Sequence, residues 1–166
     1  MSLFEVRGPS EGRWERPLKG SLDRLMVRSE LLEENPLRDP ALRPLFVYRP
    51  RAADDGTGER LPSVYVLQGF GGLLEEWLAP TPSGPTAIER LDAMFSTGQC
   101  PPAVVVFVDA WTSYGGSQFI NSSSTGPYMD YLCDEVVPFV DARYPVAADR
   151  DHRGLSGKSS GGYGAM

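Results

Sequence analysis

The sequence predicts an α/β fold: a mostly parallel central sheet with flanking helices and antiparallel strands at its N-terminal edge. Three observations carry that reading. Two short, nearly continuous apolar runs, Val64-Tyr65-Val66-Leu67 and Val104-Val105-Val106-Phe107-Val108, have the pattern of strands buried on both faces, as in a parallel sheet covered by helices. Between them, residues 85–98 place Ile88, Leu91 and Phe95 at helical spacing, with Pro85 at the first helical position and Gly98 as a stop, so that the three elements form one βαβ unit. Near the other end, Gly157-Lys158-Ser159-Ser160-Gly161 fits G-x-S-x-G between a strand candidate and the start of a helix.

The remaining elements follow in chain order. Residues 1–21, rich in Gly, Pro and Arg without a sustained period, read as an irregular lead-in, and 22–166 as part of a single domain. Apolar and polar residues roughly alternate over 22–32, and Leu45-Phe46-Val47-Tyr48 follows after a break, which suggests an antiparallel pair at a sheet edge. The turn residues of 49–62, among them Asp54-Asp55-Gly56, mark a surface loop. A long polar loop over 111–126 leads into a helix over 127–144 with Tyr128, Leu132, Val136 and Val140 on one face and a local kink expected at Pro138. Residues 151–156 form the strand candidate before the G-x-S-x-G turn, and 162–166 the first turns of the helix after it.

Composition narrows the function classes. A formal charge of -6 is the opposite of the basic footprint that phosphate neutralisation requires, so nucleic acid is not an expected partner. No apolar run has the length of a signal peptide or a membrane span, which leads to the expectation of a cytoplasmic protein without a membrane partner. The two cysteines, Cys100 and Cys133, have no metal-type spacing to a histidine; buried or idle thiols, no metal and no cofactor are expected.

The chemistry lies in two glycine-bearing turns. In G-x-S-x-G the glycines permit a turn in which a side chain two positions either side of the serine would collide with the neighbouring strand and helix, while the serine is strained and exposed. Ser159 is therefore the candidate nucleophile, and the following backbone N–H, that of Ser160, a candidate oxyanion donor. The strand 64–67 runs directly into Gln68-Gly69-Phe70-Gly71-Gly72, a turn of the type that supplies the second oxyanion N–H. Asp109 ends its strand at the carboxyl edge, where ligands bind in such sheets, so it is a candidate lining residue; capping or fixing the loop is the competing role. Trp111 and Tyr114, in a loop that mixes aromatics, hydroxyls and glycines, are candidates to line an acyl or alcohol pocket, packing over the sheet edge being the alternative.

The run Gly157-Lys158-Ser159-Ser160-Gly161-Gly162-Tyr163-Gly164-Ala165 resembles the nucleophile elbow of the Putative esterase (esterase D-like) family of α/β-hydrolases, which includes S-formylglutathione hydrolases, enterochelin esterases, feruloyl esterases and mycolyltransferases. Phe119-Ile120-Asn121-Ser122, Thr125-Gly126, Tyr131-Leu132 and Glu135-Val136-Val137-Pro138-Phe139-Val140-Asp141 resemble the segment that leads to that elbow. The resemblance covers roughly 61–166 and implies ester or thioester hydrolysis, or acyl transfer, through an acyl-serine intermediate. Where the family often has His-Gly this chain has Gln68-Gly69, with Phe70 N–H as the implied oxyanion donor. Lys158 and Ser160 stand where His or Leu and Met are more usual, and Lys158 is read as solvated.

A serine hydroxyl needs a general base and a carboxylate to orient it, and in α/β-hydrolases these follow the serine in the order acid, then histidine. Only seven residues follow Ser159 and none is acidic or a histidine. The lone histidine, His152, precedes it by a strand's length, roughly 15 Å at 3.3 Å per residue, and lies at the wrong end of the sheet. The expectation is therefore the N-terminal half of an α/β-hydrolase, apparently truncated after the elbow and completed by a missing C-terminal half or a second chain, with homo-oligomerisation left open. The leading reading is a serine carboxylesterase acting on a small-molecule ester or thioester, the 166-residue chain alone being inactive. An acyltransferase of the same fold and a non-catalytic α/β-hydrolase-like binding protein are the alternatives.

Overall fold

The computed structural model describes residues 2–7, 17–80 and 84–166. A six-stranded sheet is formed by β1 (Ser2–Arg7), β2 (Ser21–Arg28), β3 (Leu42–Arg49), β4 (Ser63–Leu67), β5 (Val104–Val108) and β8 (Arg153–Gly157) in the order β1-β2-β3-β5-β4-β8. β5, β4 and β8 run parallel, whereas β1, β2 and β3 are joined antiparallel to one another and to β5. The central parallel strands and the antiparallel N-terminal edge are thus as the hydrophobic pattern predicts.

β5 shows why its sequence is apolar throughout. Val104, Val106 and Val108 face a core with Tyr128, Tyr131, Leu132, Val136 and Val140, while Val105 and Phe107 face a second core with Phe46, Tyr48 and Ile88. The second layer comes from α1 (Ala87–Ser96), whose Leu91 and Phe95 also pack on that face. Leu74, at the start of a 3-10 turn (Leu74–Leu78), and Trp77, tilted on Phe107 at 5.5 Å, complete it. The first core is covered by α2 (Tyr128–Asp130), a π-helical turn (Tyr131–Val136) and α3 (Val137–Arg143).

Several boundaries differ from expectation for identifiable reasons. The lead-in is not wholly irregular: Ser2–Arg7 forms β1, paired with β2, because a neighbouring strand's backbone orders a segment whose own pattern is too short to announce it. Residues 8–16 of that lead-in lie outside the described ones. The antiparallel pair β2/β3 is consequently inside the sheet, with β1 beyond it. Pro85 is not at the first helical position. Thr86 is the N-cap, its Oγ1 accepting from Glu89 N–H while the Glu89 carboxylate accepts from Thr86 N–H. The kink expected at Pro138 takes the form of the π-turn before it, in which Val137 N–H reaches back to Leu132 C=O. A short hairpin, β6 (Asn121–Ser122) with β7 (Gly126–Pro127), occupies the loop before α2. The strand expected over 151–156 begins at Arg153, because Asp149 caps a 3-10 turn over Arg150–His152 by accepting from Asp151 N–H and His152 N–H. α4 (Ser160–Gly164) starts two residues earlier than the 162–166 segment expected.

One buried ion pair ties the antiparallel edge to the carboxyl end of β5. Arg43 of β3 and Asp109, just beyond β5, are each 3% exposed and bonded directly. The Arg43 guanidinium also donates to the carbonyls of Trp111 and Pro40, and Asp109 accepts from Trp111 N–H at 3.5 Å. Burial pushes the Asp109 carboxyl above its usual range and the Arg43 charge opposes that shift. Removing one partner strands a buried charge, whereas removing both does not. Arg43→Met is therefore expected to lower stability in urea unfolding by about 3–5 kcal/mol, and the double variant Arg43→Met/Asp109→Leu to recover most of that loss.

Candidate active site

β4 and β8 are hydrogen-bonded neighbours in parallel register, with Leu67 opposite Gly157, so the turns that leave their carboxyl ends start side by side. The turn after β8 is the G-x-S-x-G elbow. Ser159 has φ 55° and ψ -118°, a conformation that costs a residue with a Cβ of order 1–3 kcal/mol and persists only where the surroundings impose it. The surroundings are visible in the glycines. A Cβ on Gly157 would lie 2.3 Å from the Gly161 carbonyl, and one on Gly161 would lie 2.1 Å from Leu67 O and 2.6 Å from Gln68 O. The elbow therefore rests directly on the end of β4, which throws the exposed Ser159 side chain out over the sheet edge.

The facing turn, 68–72, is closed by its own residues. Gly72 N–H donates to Gly69 O at 3.1 Å, and the buried Gln68 carboxamide donates through Nε2 to Gly72 O. Gly71 needs its φ of 74° and donates its N–H to Gly115 O at 2.7 Å, fastening the turn to the loop after β5. Gly69 is close enough to the elbow that a Cβ there would stand 3.7 Å from Ser159 Cβ. Neither Phe70 N–H nor Ser160 N–H donates to an acceptor among the described residues. Two free donors on turns that flank a strained serine are what a developing oxyanion needs.

Between the turns lies a cleft of about 530 Å³ lined by Gln68 to Leu73, Glu76, Trp77, Lys158 and Ser159. Ser159 and Phe70 meet in this cleft, whereas Ser160, buried at the start of α4, is not among its lining residues. Asp109 does not line it: the carboxylate is buried against Arg43 and fixes the loop, which is its competing role. Trp111 and Tyr114 are not among the lining residues either; Trp111 is half-buried and Tyr114 is 67% exposed. The Trp111–Phe119 loop acts instead through its glycines, since the Phe70 ring lies against Gly115 and Gly116. Glu76, Trp77 and Leu73 were not anticipated, because only the packing of the 3-10 turn brings them to the edge; the Leu-Glu-Glu-Trp-Leu run gives no signal beyond an amphipathic turn.

His152 is exposed at the opposite end of β8, with Nδ1 held by Asp149 at 2.8 Å. Lys158 is exposed at the cleft rim, and its carbonyl accepts Gly161 N–H at 2.9 Å. Of the two alternatives for the thiols, buried or idle, burial does not hold: Cys100 is half-buried and Cys133 exposed, and both are free. Among the described residues no helix is long and apolar enough to cross a membrane.

The elbow geometry makes a graded prediction. Gly161→Ala drives a methyl into two backbone carbonyls that cannot yield, and is expected to cost about 1–3 kcal/mol and to abolish labelling of Ser159 by a fluorophosphonate. In Gly154→Ala the new methyl meets nothing nearer than Val64 Cγ2 at 3.8 Å, and wild-type labelling is expected.

Known proteins share sequence and fold with this chain. The sequence profile of the family described as Putative esterase matches residues 42–166. A curated relative, an endo-1,4-beta-xylanase/feruloyl esterase of Xylanibacter ruminicola, is 26% identical over 107 residues, 64% of this chain and 14% of that protein. Among solved structures, a ferulic acid esterase superposes with a TM-score of 0.71 at 20% identity, covering 90% of this chain and 53% of the other. An S-formylglutathione hydrolase of Agrobacterium tumefaciens gives 0.65 at 17% identity, covering 99% and 55%. The chain thus spans about half the length of these solved structures, and at such identities the likeness shows the shared α/β-hydrolase architecture. With three-quarters of its length matched by the profile and the elbow and facing turn in place, the chain belongs to the Putative esterase family.

Proposed function

We propose that this chain carries the nucleophile and oxyanion hole of a serine esterase that hydrolyses a carboxylic ester or thioester. The observation that carries the reading is Ser159, strained at positive φ over the carboxyl edge of the sheet and flanked by the free N–H groups of Phe70 and Ser160. In this mechanism Ser159 Oγ attacks the carbonyl carbon as its proton passes to a histidine, and the carbonyl oxygen takes the displaced electron pair and is held by the two N–H groups. Collapse of the tetrahedral intermediate returns that proton to the departing alcohol or thiol and leaves an acyl-serine. Water then attacks under the same base, releasing the acid and restoring Ser159.

His152 cannot serve as that base, since it is paired with Asp149 at the far end of β8. The histidine and its orienting Asp or Glu are therefore proposed to come from outside residues 1–166. The mechanism calls for no metal or cofactor. Phe70, Leu73 and Trp77 give the cleft apolar and aromatic walls, which favours a small-molecule ester with an aryl or alkyl group over a polymer of charged units. The names of the related ferulic acid and feruloyl esterases support the aromatic case. A cytoplasmic setting is part of the proposal, supported by two cysteines that are unpaired.

Ser159→Ala in the full-length protein is expected to lose fluorophosphonate labelling and at least about 10³-fold of its p-nitrophenyl acetate hydrolysis while keeping the wild-type melting temperature. Labelling that survives the substitution would place the nucleophile elsewhere.

A further inference from the structure

Ser160 has a second connection besides its backbone N–H. Its side chain is buried, and its hydroxyl donates to Gln118 Oε1 at 3.2 Å, joining the elbow to the loop after β5. Gln118 and its neighbour Phe119 are both at positive φ, 62° and 57°. Neither is glycine, so each position costs of order 1 kcal/mol and has to be held from outside.

The holding contacts are specific. Ser117 N–H donates to Ala110 O at 3.1 Å, Phe119 N–H donates to Ser117 Oγ at 3.2 Å, and the Phe119 ring is buried in the core. Gly164 of α4 lies so close that a Cβ there would stand 2.6 Å from Phe119 Cβ and 2.9 Å from Gln118 O. The same loop grips the other turn. Gly115 O accepts Gly71 N–H, and a Cβ on Gly115 would meet the Phe70 ring at 2.6 Å. Its base is fixed to the scaffold by Arg43 on Trp111 O and by Asp39, which accepts Ser113 N–H at 3.0 Å.

One strained loop therefore touches both residues whose N–H groups form the oxyanion pair, Phe70 from one side and Ser160 from the other. We infer that Gln118 is a positioning residue for catalysis: through the Ser160 hydroxyl it locks the loop that sets the separation between Phe70 N–H and Ser160 N–H. The inference rests on the esterase reading and adds a residue that is not among those lining the cleft. Strain at Gln118 and Phe119 is the cost of that rigidity, stored beside the site and not in it.

The test measures steady-state p-nitrophenyl acetate hydrolysis and fluorophosphonate labelling rates for full-length wild type, Gln118→Met, Ser160→Ala and the double variant. Gln118→Met keeps the side-chain volume and removes the acceptor; Ser160→Ala removes the donor and leaves the backbone of the loop untouched. Each single change is expected to lower kcat and the labelling rate about tenfold with KM unchanged, and the double variant to be no worse than the worse single, as for two ends of one bond. Wild-type kcat in either folded single variant, additive losses in the double variant, or a change confined to KM would overturn the inference. If Gln118→Met fails to fold, kcat in Ser160→Ala decides alone. A wild-type protein that neither labels nor hydrolyses the ester would instead overturn the esterase reading itself.

Discussion

The Gly161 backbone lies against the carbonyl oxygens of Leu67 and Gln68, and the geometry of the site follows from that contact. It is possible only because residue 161 has no Cβ, and it forces the chain between Gly157 and Gly161 into a turn too tight for ordinary backbone angles. Ser159 takes the strain. The contact also sets the elbow beside the turn leaving β4, where a Cβ on Gly69 would stand 3.7 Å from Ser159 Cβ. The oxyanion hole proposed for this chain is made of backbone N–H groups, so it does not depend on the identity of the side chain at Gln68.

The two turns are stiffened from below by different means. The parallel β5-β4-β8 strands are buried between two apolar layers, and their hydrogen-bonded register fixes where each turn begins. The loop after β5 is set by polar contacts instead: the Arg43–Asp109 pair at its base and Asp39 on Ser113. Buried ion pairs seldom add much net stability, but separating Arg43 from Asp109 would leave each charge buried and unpaired, which disfavours other paths for the loop. The path so favoured is that of the loop that touches both Phe70 and Ser160.

What was legible in the sequence is what local chemistry determines. The apolar runs of β4 and β5 identify strands buried on two faces, and the glycines of the elbow and of 68–72 identify turns, since Gly157 and Gly161 leave no room for a Cβ and Gly71 takes a positive φ. The capping box Thr86-x-x-Glu89 is also there to be read, although taking Pro85 as the first helical position puts the helix start two positions too early. What was not legible depends on partners distant in the chain. Asp109 pairs with a residue 66 positions earlier, Ser160 with one 42 positions earlier, and β1 owes its order to the backbone of β2. Nothing in the composition of Gln118-Phe119 signals two successive positive φ angles, since that conformation is imposed by Gly164 and the core around Phe119.

The central claim is that Phe70 N–H and Ser160 N–H together hold the oxyanion of an acyl or phosphonyl group on Ser159. The most direct measurement is a crystal structure of the protein after reaction with a fluorophosphonate. The account predicts a phosphonyl group on Ser159 Oγ with its oxygen about 2.7–3.1 Å from both nitrogens. A phosphonyl oxygen turned to solvent, or an adduct on any other residue, would contradict it.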